Sequence, residues 1–230
     1  MGLRLTASIR RAFDRLASDL GRVLGSRFVA LVASSETASV AFATRFTAAD
    51  LAALGPLVDT WHHDGLETPL LLTPDELRRS LDVFPLEYQG LIDRHIVIAG
   101  TPPFGGLTVH HVYLRQACET EAKGHLIHLR QLWLDTAGHD DRLADAIVAS
   151  AAPLRTLLAN VARLNGTTPA DPDDGALEGA RIAGLDVDLV RGILALESSP
   201  APATEIGARM PAYLAAAESL WAYVDQWQRP

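Results

Sequence analysis

The sequence of 230 residues contains a single cysteine, Cys118, which excludes a disulfide bond within the chain. One unpaired cysteine fits a reducing compartment, so the sequence predicts a cytoplasmic protein. No uninterrupted apolar run approaches the roughly 20 residues that span a bilayer, and we expect no membrane-spanning segment. The first residues do not resemble a secretory signal, because charged residues interrupt them every few positions.

An excess of positive charge is also lacking. The chain has 20 Lys and Arg residues against 28 Asp and Glu residues, for a formal net charge of −8. This argues against nucleic acid as a partner, since such binding relies on cationic surface to meet phosphates. The charge is uneven, because arginines concentrate in residues 1–27 and acids in residues 135–230. We therefore expect any anion-binding surface to lie in the first 134 residues.

Sequence signatures of phosphate loops and of nucleophile elbows are absent. Neither GxxxxGK[ST] nor GxGxxG occurs in the chain, and the turn TPPFGG is too short to cradle a phosphate chain. A GxSxG nucleophile elbow does not occur either. The sequence therefore gives no support to a P-loop, dinucleotide-binding or serine-hydrolase function.

Histidines occur in pairs, and two histidines three positions apart on a helix can face one metal ion. Two ligands do not make a site, however, and no cysteine or aspartate stands at zinc-motif spacing. The spacing favours solvated or capping histidines. Cys118 and His125 are seven residues apart, beyond hydrogen-bond reach, which argues against a Cys/His nucleophile pair. The pairs are His62 with His63, His110 with His111, and His125 with His128.

The first apolar pattern is helical. Residues 3–24 place apolar side chains along one helix face, while arginines occupy the rest of the surface. A basic amphipathic helix can lie on a membrane or serve as a transit peptide. Asp14 and Asp19 weaken both alternatives, and we predict a helix that docks on its own domain. The apolar positions are Ile9, Phe13, Leu16, Leu20 and Val23.

Short apolar runs then predict a small sheet. Thr47 with Asp50, and Thr73 with Glu76, have the spacing of capping boxes and predict helix starts between the strands. One predicted strand holds a lone acid, Glu87, among apolar neighbours and a proline. The N-terminal part of the chain is therefore predicted to be an α/β unit with four or five strands. The strands are predicted at 28–33, 40–44, 70–72, 83–88 and 96–98.

From residue 109 onward the pattern is helical. It predicts one long helix over 109–136, a second over 140–164 that Pro153 should kink or split, short helices at 175–183 and 187–196, and a last helix over 205–228. Gly, Pro, Asp and Ser predict loops at 165–175 and 198–204. The predicted fold class is α+β, with a mixed-sheet domain over 1–108 and a helical bundle over 109–230.

The helix at 109–136 carries a cationic set of side chains in an acidic protein. In one interpretation these cations form a solvated face with local pairs, such as Arg115 with Glu119 four positions later. In the other, the helix lines the cleft of an anionic ligand. The set comprises Arg115, Lys123, His125, His128 and Arg130.

A longer stretch resembles a known family. The segment PLLLTPDELRRSLDVFPLEYQGLIDRHIVIAG, followed by LRQACETEAKGHLIHLRQ, is similar to an uncharacterised bacterial branch of the polymerase-β-type nucleotidyltransferases, which are related to enzymes that adenylylate aminoglycosides. The resemblance is clearest over 40–134. It implies a small mixed sheet with Gly-Ser at one strand end, Asp-x-Asp on the next strand and a third carboxylate later. Together these groups would hold two Mg²⁺ ions against a triphosphate.

The sequence departs from that pattern at the metal ligands. Ser34 and Ser35 stand where the resemblance places Gly-Ser, and the strand at 40–44 carries no aspartate. Glu87 alone matches a family carboxylate, and one carboxylate does not hold two Mg²⁺ ions. The resemblance therefore implies a degenerate nucleotidyltransferase-like module, without a cofactor, that binds a nucleotide or another phosphate-bearing molecule. Its predicted ligand-binding residues are Ser34, Ser35, Arg115, Lys123 and Arg130, with Glu87 as a catalytic relic.

Two alternatives stay open. The first is an active Mg²⁺-dependent enzyme that recruits Glu36, Asp82 and Glu87, although Asp82 and Glu87 would point to opposite faces of a regular strand. The second is a structural partner protein, such as a homo-oligomer, that assembles through the apolar tail with Trp221 and Trp227. Such tryptophans belong to cores more often than to interfaces.

Overall fold

The computed structural model describes residues 3–167, 171–199 and 201–228. The chain forms two compact units, Met1–Val109 and His110–Pro230. The first combines a four-stranded mixed sheet with short helices, and the second is helical. This confirms the α+β class predicted from the sequence. Within the described ranges, none of the helices has both the length and the hydrophobicity that a bilayer crossing needs.

The α/β unit alternates helices and short strands. Thr47 and Thr73 each accept a backbone N–H through the hydroxyl while Asp50 and Glu76 cap in return, so both predicted capping boxes are confirmed. In chain order the elements are α1 Ala7–Leu24, β1 Phe28–Ala33, β2 Ser39–Ala43, α2 Ala48–Leu54, α3 Val58–His63, β3 Leu70–Leu72, α4 Pro74–Arg79, α5 Pro85–Asp93 and β4 Ile96–Gly100.

The sheet has the order β3-β2-β1-β4. Strand β1 pairs antiparallel with β2 and β4, and β2 pairs parallel with β3. All five residues of β2 are buried, which fits a strand covered on both faces. On one face, the ring of Phe42 meets the edge of the Phe104 ring at a centroid distance of 5.7 Å. The turn TPPFGG therefore packs its aromatic side chain against the sheet.

The prediction of a strand at 83–88 is wrong, because helix α5 begins within this segment, at Pro85. Proline suits the first turn of a helix, where its missing N–H leaves no hydrogen bond unmade. The buried positions Pro85, Leu86, Tyr88 and Leu91 follow helical spacing rather than alternation. The sheet therefore has four strands, and the last predicted strand is β4. Asp82 and Glu87 therefore do not lie on opposite faces of a strand.

Helix α1 docks on its own unit, as predicted. Phe13, Leu16 and Leu20 are fully buried and belong to one apolar cluster with Leu31 and Ile98 of the sheet. The arginines of α1 lie on the opposite, exposed side of the helix. The amphipathic pattern is thus explained by packing within the α/β unit.

The second unit is a bundle of helices. The long helix is confirmed as α6. The helix predicted over 140–164 is split near Ser150, which confirms the break predicted from Pro153, and Pro153 lies in the first turn of the following helix. The tail is also two helices rather than one. Residues 168–170 and 200, in the predicted loops, lie outside the described residues. The helices are α6 His111–Asp135, α7 Asp140–Ala149, α8 Ala151–Leu164, α9 Pro172–Ile182, α10 Val187–Leu194, α11 Ala203–Ala208 and α12 Met210–Asp225.

One ion pair joins the residue before β1 to the first turn of α2. The Arg27 guanidinium donates from Nη1 and Nη2 to the two oxygens of Asp50, at 2.5 and 2.7 Å. Asp50 also accepts from the backbone N–H and the hydroxyl of Thr47. The Arg27 guanidinium, and after it the Thr47 hydroxyl, hold the pKa of the Asp50 carboxyl well below its usual range.

This pair predicts acid sensitivity. Because the folded-state pKa of Asp50 lies below its unfolded value of about 3.9, the ionised carboxylate stabilises the fold above that value. This contribution is lost as the pH falls toward the folded-state pKa. We expect Asp50→Asn to lower the melting temperature at pH 7, and the gap from wild type to shrink progressively below about pH 4. Calorimetric melting of both proteins at pH 7, 5 and 3 measures this difference in melting temperature.

Asp75→Asn is the matched control, because Asp75 pairs with Arg78 in an exposed i, i+3 salt bridge. Such pairs contribute little to stability. This variant should melt close to wild type at each pH. An Asp50→Asn gap that stays constant down to pH 3 would contradict the role given to the ionised carboxylate.

Candidate functional site

The turn after β1 and strand β2 occupy the places where the resemblance puts the Gly-Ser pair and the metal-binding acids. The backbone N–H groups of Ser34 and Ser35 both donate to the carbonyl oxygen of Ala38, at 3.0 and 3.3 Å. The Ser35 hydroxyl accepts from the N–H groups of Thr37 and Ala38. These backbone and hydroxyl groups are therefore engaged within the turn, and Glu36 at its tip is exposed.

Glu87 lies in the first turn of α5 rather than on a strand. Its side chain is exposed, while the neighbours Leu86 and Tyr88 are buried. An acid in the first turn interacts favourably with the helix macrodipole, which gives Glu87 a structural role without any ligand. Asp82 is exposed in the connection between α4 and α5. The structure therefore places the three candidate acids Glu36, Asp82 and Glu87 on exposed surface.

The donor set of this unit does not fit the two Mg²⁺ ions that the family resemblance implies. Strand β2 consists of Ser39, Val40, Ala41, Phe42 and Ala43 and supplies no carboxylate. Across the described ranges, no group of three or more His, Cys, Asp or Glu side chains could hold a metal ion. Mg²⁺ prefers octahedral oxygen ligands that include carboxylates, and this sheet does not offer them.

The cations Arg115 and Arg130 of α6 reach across to α12. Arg115 pairs with Glu119 at 2.9 Å, which confirms the local pair predicted from the spacing, and donates to the backbone carbonyl oxygen of Asp225 at 3.0 Å. Arg130 donates to Glu218 at 2.6 Å. Both arginines therefore have partners within the helical unit.

Lys123 has a partner of a different kind. Its ammonium nitrogen lies 3.4 Å from the centroid of the Trp221 ring, a close cation–π contact. Further along the tail, the Trp227 indole N–H donates to the Asn165 side-chain oxygen at 3.2 Å. The tail tryptophans are half-buried against the bundle, where they tie α12 to α6 and to the end of α8.

A partly buried polar chain connects α6 and α12 to the junction between α7 and α8. The Tyr213 hydroxyl lies 2.8 Å from His125 Nε2 and 2.9 Å from the Ser150 hydroxyl oxygen. Burial, followed by the charge of His128, lowers the pKa of His125 to about 4, so its imidazole is neutral at pH 7. Burial raises the pKa of Tyr213 and brings that of Cys118 to about 12. These groups act as packed structural elements and not as charged catalysts.

A cleft opens on the α/β unit where β3, α4 and α5 meet. Its volume is about 480 Å³, within the range of ligand pockets. Phe84 is 49% exposed and its ring meets the Tyr88 ring edge-on at a centroid distance of 5.9 Å. The lining combines apolar side chains with polar ones: Leu71, Leu72, Asp75, Glu76, Arg79, Ser80, Phe84 and Tyr88.

Sequence reasoning did not find this cleft. A strand over 83–88 would have placed Phe84 and Tyr88 on one face, packed against helices, whereas the α5 start leaves Phe84 exposed and turns Tyr88 inward. The available signal was Pro85, which suits a helix start. The lining residues all lie within the segment that carries the family resemblance.

Comparisons with known proteins leave the chain without an assigned family. No family model matches it, and neither a curated protein nor a solved structure matches it significantly.

Proposed function

We propose that this protein is a nucleotidyltransferase-like binding module that has lost metal-dependent transfer and holds a nucleotide or another phosphate-bearing molecule. Such a module acts by binding and regulation and needs no metal cofactor. The nucleotidyltransferase-like relationship rests on the sequence resemblance. The α+β fold with a small mixed sheet and a following helical unit is compatible with it.

The β1–β2 turn carries the proposal. Nucleotidyl transfer relies on metal ions that bridge phosphates and neutralise developing charge, and those ions need carboxylates held close together. In this chain the turn from Ser34 to Ser39 is closed by its own hydrogen bonds, and the strand after it has no acid. A triphosphate at this turn would meet neither a metal site nor unengaged serine N–H groups.

The position of Glu87 also supports loss of transfer. Two carboxylates share a metal ion when their oxygens converge within a few ångströms of it. Glu87 and Asp82 lie on exposed surface around the start of α5, and Glu36 lies at the tip of the β1–β2 turn. A transfer mechanism that recruits these three acids therefore has no support in the arrangement of the α/β unit.

Binding without transfer is the expected result for the purified full-length chain. Titration calorimetry with ATP should give the same affinity in 5 mM Mg²⁺ and in EDTA, within about twofold, because the residues that the structure describes form no carboxylate cluster that could couple the metal to the nucleotide. Release of pyrophosphate from ATP, followed over hours in the presence of Mg²⁺, should stay at the level of the protein-free control.

Two results would overturn this proposal in different directions. Mg²⁺-dependent pyrophosphate release that disappears in Glu87→Gln would establish the active-enzyme alternative. Failure of ATP, ADP, AMP and inorganic phosphate to bind under either condition would favour the structural-partner alternative. In that case light scattering of the purified chain would report whether it assembles with itself.

A further inference from the structure

The cleft between β3, α4 and α5 has features of a ligand site that the family resemblance does not assign. We propose that this cleft is the binding site of the module, and that its ligand is an organic anion that carries an aromatic ring, such as a nucleoside monophosphate. This inference rests on the proposed function and gives it a location and a chemical class. The site lies entirely on the α/β unit.

The aromatic side chains define where the ring of such a ligand lies. Phe84 leaves about half of its surface in water, so its ring is accessible to a ligand in the cleft. The Tyr88 ring holds Phe84 in an edge-on contact, with an interplanar angle of 78°, which restricts its orientation. The half-buried Leu71 and Leu72 line the cleft beside these rings. When a flat aromatic group binds here, apolar surface of the ligand and of the cleft is removed from water.

Arg79 supplies the charge. It lines the cleft and is exposed, and the residues that the structure describes include no hydrogen-bonding or ion-pair partner for its guanidinium. The cleft acids are already engaged. Asp75 pairs with Arg78 at 2.5 Å, and Glu76 accepts the backbone N–H of Thr73 at 2.7 Å. Arg79 is therefore the cation that remains available to a ligand, and a guanidinium binds phosphate or carboxylate oxygens in a bidentate manner.

The Ser80 and Tyr88 hydroxyls complete the polar side of the cleft. Ser80 donates to the carbonyl oxygen of Glu76 at 2.6 Å, and its oxygen lies 3.2 Å from the Tyr88 hydroxyl. Because the single Ser80 proton is engaged with Glu76, the contact between the two hydroxyls uses the Tyr88 proton, and both hydroxyl protons are engaged within the unit. The site thus offers one cation and an aromatic surface.

The test compares cleft variants with a variant outside the cleft, in calorimetric titrations of the full-length chain with AMP in EDTA. We expect Arg79→Gln to weaken AMP binding about tenfold or more, because a charged hydrogen bond is lost. Phe84→Ala should weaken it about fivefold through lost ring contact. Arg45→Gln is the matched control and should stay within twofold of wild type, because Arg45 is exposed on the same unit and does not line the cleft. Thermal melting of each variant verifies that it is folded.

Separate probes for the two halves of the ligand sharpen the result. Inorganic phosphate should lose affinity in Arg79→Gln and keep it in Phe84→Ala, and adenosine should show the reverse. Photolabelling with 8-azido-AMP should attach to a peptide within residues 71–88. Unchanged AMP affinity in both cleft variants, with labelling elsewhere, would overturn this site and leave the proposed function standing. Absence of AMP, phosphate and adenosine binding in wild type would overturn both.

Discussion

Replacing Gly179 with alanine is expected to destabilise the helical unit by about 3 kcal/mol or more, because there is no room for the added methyl group. A Cβ atom at Gly179 would lie 1.9 Å from the backbone oxygen of Leu158 and 2.7 Å from its carbonyl carbon. Backbone atoms of α8 cannot move aside as a flexible side chain does, so α8 and α9 must separate. Urea unfolding followed by circular dichroism measures the loss.

Gly124→Ala is the matched control, since Gly124 lies in the interior of α6 and a Cβ atom there meets nothing within 4 Å. Alanine is a better helix former than glycine by about 1 kcal/mol, so this variant should be more stable than wild type. The two substitutions add the same methyl group and should change stability in opposite directions. Equal effects at both positions would contradict the close packing of α8 on α9.

The second large effect is expected at Phe42. This side chain is fully buried in β2 and packs edge-on against Phe104. Phe42→Ala should lower the free energy of unfolding by about 3–5 kcal/mol, because the substitution removes buried apolar surface and leaves a cavity. Urea unfolding, monitored by circular dichroism, measures this loss of stability of the α/β unit.

Phe84→Ala controls for the chemistry of that substitution. Phe84 is 49% exposed and contacts the ring of Tyr88, so its loss should cost about 1 kcal/mol at most. This variant is also the one expected to weaken AMP binding. A Phe84→Ala protein as unstable as Phe42→Ala would show that the ring belongs to the core and would remove it from the proposed site.

Among local features, sequence reasoning was most accurate where one helix turn contains all the interacting groups. The capping boxes at Thr47 and Thr73 follow from a hydroxyl and a carboxylate three positions apart. The stripe of α1 predicted its docked face, because apolar residues at helical spacing must be buried together. The Arg115–Glu119 pair follows from a spacing of four.

The segment at 83–88 shows where local pattern was insufficient. Its apolar run is compatible with a strand or with a helix start, and the two periods differ little over six residues. Pro85 and the later Leu91 favour the helix, but burial of Leu86 and Tyr88 against the rest of the unit decides it. The location of the candidate site depends on this segment. Glu87 lies in an exposed helix turn and not on the predicted strand, and Phe84 and Tyr88 line a cleft.

By itself, the sequence determined the α+β class, the docked first helix, the long helix α6 and the absence of acids on β2. These properties depend on residue type and on spacing within one element. The tertiary structure alone decided the partners of Arg130, Lys123 and Tyr213, and the exposure of Arg79 and Phe84 in the cleft. Those properties depend on residues far apart in the chain or on segments whose fold packing selects, and no local spacing encodes them.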